Sequence, residues 1–241
     1  MHKNKKLLCL LISIILCLLA MDLKNPASAL DFGINESEKV IFAFHKLTNQ
    51  TPDYDGLVKA MKKYKNTKDP RTKQHIFEQE FTRLKLEYSN FLPAENYLTI
   101  KTDIYLQLRM QNGAPAFHFK FANSGDEEIP YFPYPFAEDW IAVITKDLNR
   151  FASIALSEEQ YSRARSFFQL NEIYKGKLDL ELRPISADKN SPVLTRDGAN
   201  QWLMLADIAF LEFIYRNPQT GEKESVFGEY KASWYRPSRE Q

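Results

Sequence analysis

The clearest pattern of apolar and polar positions runs from Tyr97 to Phe121. In YLTIKTDIYLQLRMQ the even positions Leu98, Ile100, Ile104, Leu106, Leu108 and Met110 are apolar, and the odd ones are mostly Thr, Lys, Asp, Gln and Arg. A period of two residues is that of a strand with one buried face. Asn112-Gly113 accepts the positive φ angles of a tight turn, so the spacing predicts a two-residue hairpin that returns through PAFHFKF. In that register Gln111 faces Ala114, Leu108 faces Phe117, Leu106 faces Phe119 and Ile104 faces Phe121. A slip of one residue would send the Phe row to the wrong face, so turn and pattern support each other.

Upstream the spacing is helical. Asn35 with Glu38 resembles a capping box, and Val40, Ile41, Phe44 and Leu47 then share one face. Thr51-Pro52 places a cap before a proline, and Tyr54, Leu57, Val58, Met61 and Tyr64 continue as one stripe. Asp69-Pro70 repeats the device ahead of Phe77, Phe81, Leu84 and Tyr88, which make the third helix the longest. Pro93 closes the region.

Downstream, Asn123 to Glu128 is a polar, acidic turn leading into Ile129 to Phe136 (IPYFPYPF), where three prolines exclude a helix interior or a central strand. Trp140 to Thr145 reads as a strand from its β-branched residues, although Ile141, Ile144, Leu148, Phe151 and Ala155 also fit a helical face, and Ser157 with Gln160 forms a capping box that opens a helix to about Phe168. Lys177 to Arg183 alternates as a half-exposed strand, followed by a loop over Asp188 to Asn200. Trp202 to Tyr215 is apolar on both faces apart from Asp207 and Glu212, which predicts a central strand. Asn217 to Glu222 reads as a turn, and Ser225 to Tyr235 as a return strand with Tyr230 and Trp234 on one face. These elements imply an α+β fold: a helical part of about three helices (residues 30–96) packed on an antiparallel β-sheet or β-sandwich. The β-rich part (residues 97–236) belongs to the same domain and ends in a polar tail (residues 237–241).

The N-terminus changes the picture of where the protein works. MHKNKK is basic, Leu7 to Met21 is apolar, and Ala27-Ser28-Ala29 matches an A-x-A cleavage site. This is the layout of a signal peptide covering residues 1–29, and it predicts export to the periplasm or beyond in a bacterium. Asp22 and Lys24 end the apolar run short of the roughly 20 residues a membrane span needs. Cleavage removes Lys3, Lys5, Lys6, Lys24 and Asp22 and takes the formal charge from +1 to −2. A nearly neutral mature chain gives no general attraction to nucleic acid or to anionic membrane. Both cysteines, Cys9 and Cys17, lie in the apolar run, so the mature chain has no disulfide or thiol chemistry.

Candidate chemistry is sparse. The mature chain keeps only His45, His75 and His118, and His75 with Glu78 lacks the spacing that brings two histidines to one helix face, so neither a metal nor another cofactor is expected. His118 is expected beside Gln107 across the hairpin. No G-x-S-x-G elbow or Gly-rich phosphate loop occurs. Asp207 and Glu212 interrupt the most apolar stretch and are the weak catalytic candidates for a metal-independent hydrolase, possibly acting on glycans. On a regular strand they point to opposite faces about 16 Å apart, too far for a glycosidase pair with each other. Either pairs instead with a loop carboxylate such as Asp139 or Asp197, or each meets a Lys or Arg, or a bulge turns it outward. Tyr131, Phe132, Tyr134 and Phe136 form the binding candidate, as exposed rings on a proline-stiffened arm; otherwise they cover an open end of the core. Lys59, Lys62, Lys63, Lys65, Lys68, Arg71 and Lys73, against Asp69 alone, form a basic patch suited to anionic lipid, lipopolysaccharide or an acidic partner, or else a solvated helix end. The expected function is therefore a non-enzymatic binding or assembly module of the cell envelope whose partner is an envelope protein or glycan. The alternatives are the hydrolase and a purely structural component.

Overall fold

The computed structural model describes residues 34–121, 131–136, 139–194, 198–216, 221 and 223–237. The unit Gly33–Gln241 holds both the helices and the sheet. The expected leader, the acidic turn at Asn123 to Glu128, Asp197 and, apart from Gly221, the turn at Asn217 to Glu222 lie outside the described residues, as does the end of the tail.

Helix α1 spans Ile34–Leu47 and is followed by α2 (Tyr54–Ala60), α3 (Lys62–Asn66) and α4 (Pro70–Asn90). Asp53, not Thr51, caps α2, accepting a hydrogen bond from the Gly56 amide at 3.0 Å. The stripe expected to run unbroken to Tyr64 is divided at Met61, whose extended backbone (ψ 136°) ends α2 and starts α3. Asp69 caps α4 through the Thr72 amide, and Pro70 occupies the first helical position, where its missing N–H costs nothing. Arg83 of α4 ties the helices together. It forks onto buried Glu38 of α1 at 2.7 and 2.9 Å and also reaches Glu80 and Glu87. Aromatic edges extend the contact: Phe42 of α1 meets Tyr88 and Phe91, and Tyr54 of α2 meets Phe81 and Tyr88.

The hairpin forms in the expected register. Strand β1 (Leu98–Gln111) and β2 (Ala114–Phe121) pair Gln111 with Ala114, Leu108 with Phe117, Leu106 with Phe119 and Ile104 with Phe121. Asn112 and Gly113 both take positive φ, 52° and 82°. Then come β3 (Tyr131–Phe136), β4 (Asp139–Thr145), a short 3₁₀ turn (Leu148–Phe151), β5 (Ser153–Ala155), helix α5 (Glu158–Arg165), β6 (Ile173–Leu194), β7 (Asn200–Arg216) and β8 (Lys223–Lys231). The Ser157 capping box of α5 is complete.

One eight-stranded sheet results, in the order β3-β4-β7-β6-β1-β2-β5, with β8 on β7. It is not purely antiparallel, because β4 runs parallel to the first half of β7. Strand β7 is long enough to take β4 along its N-terminal half and β8 along its C-terminal half. Nor are two sheets needed to close the core. Phe119 of β2 stacks on Phe213 of β7 at 4.0 Å although β1 and β6 lie between them in the sheet. The sheet therefore curls strongly, and its concave side is filled by rings, with Phe117 against Phe168 and Phe168 against Tyr215. Gly176 makes room for this packing: a Cβ there would stand 2.8 Å from a Leu106 methyl and 3.0 Å from the Ile214 carbonyl oxygen.

Two expectations on the strands need correction. Residues expected as a loop from Asp188 belong to β6 as far as Leu194, with register shifts at Pro184/Ser186 and Asp188/Val193 absorbing the polar residues. The return strand stops at Lys231, so Trp234 sits in a turn beyond it and not on the strand face of Tyr230.

Candidate functional site

Residues paired across a ladder project to the same side of a sheet. At the β3, β4 and β7 end, Phe132, Tyr134, Ile141, Val143, Trp202, Met204 and Ala206 face the concave side. Phe44 of α1 lies against Phe136 and Trp202 there. The intervening residues face the convex side in three rows: Tyr131, Ile144 and Leu205; Pro133, Ala142 and Leu203; Pro135, Trp140 and Gln201. Eight of these nine side chains are apolar or aromatic. Val193 extends the last row opposite Gln201, and Ile185 protrudes at the bulge before Ser186, the partner of Leu205. Leu205 is 40%, Val193 50% and Ile185 38% exposed. Asp139 locks the frame, its carboxylate accepting from the Asn200 amide and from Trp202 Nε1, both at 3.2 Å. Asp139 is thus engaged at the entry of β7.

The proline-rich segment is an edge strand, not an exposed arm. Phe132 and Tyr134 are in the core, at 1% and 0% exposure, and Phe136 is half-buried against Phe44 and His45. Of the four rings named from the sequence, only Tyr131 faces the convex side. Alternation along an edge strand, which its prolines permit, places every second ring inside.

Asp207 and Glu212 fall on the same face, not on opposite faces. Leu182 pairs with Ile208 and Glu181 with Phe210, so Ala209 is an extra residue that resets the alternation. Its carbonyl accepts the Ala232 amide, which anchors the turn after β8. Asp207 is ion-paired with Arg183 at 3.1 Å, and the Arg183 guanidinium lies 3.6 Å from the Trp234 ring centroid. Glu212 stands between Asp179 on β6 and Glu229 on β8, its direct cross-strand partners. Glu229 is held by Lys231 and Asp179 by Lys101.

Among the histidines, His118 faces Gln107 in the hairpin register. Gln107 Nε2 donates to the Asn171 carbonyl. Partial burial and the Arg109 charge lower the His118 pKa. His75 is exposed, and its neighbour Glu78 accepts from Gln74. His45 is buried among Phe44 and Phe136, both ring nitrogens lack a hydrogen-bond partner, and burial depresses its pKa to about 4. Only its place on the buried side of α1 hinted at this. Among the described residues no group of three His, Asp or Glu stands together as a metal-binding set.

The basic residues spread over α2, α3 and the start of α4. Lys59 pairs with Asp55, Lys63 with Glu80, and Lys73 lies 4.6 Å from the Tyr64 ring centroid. Lys62, Lys65, Lys68 and Arg71 are exposed. Comparison with known protein families, with characterised proteins and with solved structures yields no match.

Proposed function

We propose that this chain is an exported bacterial protein, cleaved near Ala29 and acting in the periplasm or outside the cell as a non-enzymatic binding or assembly module of the envelope. Three features support export: the basic start, the apolar run and the A-x-A site. No described helix is long and apolar enough to cross a membrane. Helix α1 meets the concave side of the sheet through the rings of Phe44, Phe136 and Trp202, so the surface assigned here to a partner is the opposite, convex one.

The observation that carries the reading is the apolar convex surface of β3, β4 and β7. A two-sided apolar strand is expected where both faces are covered, and here the rows through Leu203 and Leu205 continue over three strands on the side away from Phe44, with Leu205 exposed and Leu203 and Ile144 half-buried among the described residues. Aliphatic rows flanked by Tyr131 and Trp140 suit another protein better than a sugar, which needs hydrogen-bonding groups beside each stacked ring. The double variant L203S/L205K tests this. It should keep the wild-type melting temperature within a few degrees and lose retention in the envelope fraction. Unchanged retention would remove this face from the function.

A second reading has one specific observation in its favour. Asp179, Glu212 and Glu229 stand in a single cross-strand row, where Cβ atoms are about 5 Å apart. Opposed Cβ atoms at that spacing let two carboxyls come within the roughly 5–5.5 Å of a retaining glycosidase pair, with Asp179 and not Asp207 as the partner of Glu212. Release of reducing sugar from envelope glycans by the wild type, abolished in E212Q, would establish it. No release from any glycan tested would remove it.

A further inference from the structure

Among the described residues, the acids on and around helices α2 to α4 have intramolecular partners. Asp53 and Asp69 cap helices, Asp55 holds Lys59, Glu78 accepts from Gln74, and Glu80 and Glu87 hold Arg83, with Lys63 also on Glu80. Lys73 and Lys85 lie over the Tyr64 and Phe81 rings. What remains is a group of four cations within ten residues, Lys62, Lys65, Lys68 and Arg71. All four are exposed and make no ion pair with a described residue. Lys62 and Lys65 are three apart on the short helix α3, Lys68 lies in the turn that follows, and Arg71 is in the first turn of α4.

We propose that this α3–α4 corner docks the protein on an anionic phospholipid surface. The charge is concentrated although the mature chain is close to neutral, so it is a local feature and not a consequence of composition. Three of the four cations are lysines, compact point charges on flexible stems, and no ring among the four supplies a stacking anchor. A multivalent, weakly oriented set of this kind matches a fluid layer of phosphate headgroups, where each cation near the surface adds to the attraction independently. A folded acidic protein would be met by bidentate arginines and a shaped rim. The surface is distinct from the convex sheet face, so either proposal can fail without the other.

The test is sedimentation with vesicles of phosphatidylcholine alone and with phosphatidylglycerol added, using protein purified as the cell delivers it. Binding should require phosphatidylglycerol, weaken steeply as salt rises from about 0.05 to 0.3 M, and fall by about 100-fold or more in K62E/K65E/K68E/R71E. The matching alanine variant should show an intermediate loss, and both should melt like the wild type. Equal binding by wild type and charge-reversed protein, or salt-insensitive binding to phosphatidylcholine, overturns the proposal. Variant-sensitive binding to soluble polyphosphate with none to the vesicles also overturns it, in favour of an anionic polymer.

Discussion

Acidification gives a sharp test of how α1 is seated. His45 is 7% exposed and packed on Phe136, with no partner on either ring nitrogen. Its folded pKa is about 4 against an ordinary value of 6.5. Because the unfolded chain takes up the proton first, stability from this group is complete above about pH 6.5 and is lost as pH falls towards 4. At about 1.4 kcal/mol per pH unit, the loss near pH 4.5 is at most about 2.5 kcal/mol. Carboxylates that titrate in the same range contribute too, so the informative quantity is a difference. Replacing His45 with Phe keeps a ring against Phe44 and Phe136 and removes the titration. Urea unfolding of both proteins at pH 7 and pH 4.5 should show the wild type losing about 2 kcal/mol more than H45F. Parallel pH profiles, or a directly titrated His45 pKa near 6.5, would refute the reasoning.

Other substitutions report on other parts of the structure. G176A forces a Cβ against Leu106 and the Ile214 carbonyl and should cost about 1–3 kcal/mol in denaturant unfolding. R83A strands the buried carboxylates of Glu38 and Glu80 and should cost about 3 kcal/mol, much of it recovered in E38Q/R83A if the penalty lies in the unpaired charge. G113A places a Cβ at φ 82° and should cost about 1 kcal/mol by thermal melting.

What the sequence disclosed follows from where local rules act alone. The β1–β2 register was legible because turn chemistry and the two-residue period constrain the same alignment. The caps at Asp69 and Ser157 were legible because capping is satisfied within four residues. The Asp207 and Glu212 geometry was not, since one extra residue at Ala209 reverses the facing of everything after it and leaves no mark in composition. For Tyr131 to Phe136 the prolines exclude a central strand yet allow an edge, which left an exposed arm and a cover for the core both open; an edge strand buries alternate rings, which favours the cover for Phe132 and Tyr134. The convex apolar rows were hidden for a different reason. An apolar residue facing the core and one facing outward look identical in a continuous run such as Trp202 to Ala206. The parallel β4–β7 pairing likewise depends on contacts across more than fifty residues.

Site-directed photo-crosslinking in living cells tests whether the convex face of β3, β4 and β7 binds a partner protein. A photoreactive residue in place of Leu205 is compared with one in place of Lys177, which lies on the outer surface over β1. A discrete protein adduct is expected from position 205, absent from position 177 and lost when L203S is added, on a chain whose N-terminus is Leu30. No adduct at position 205 beyond that at position 177 would contradict the binding face, and an intact Met1 would contradict export.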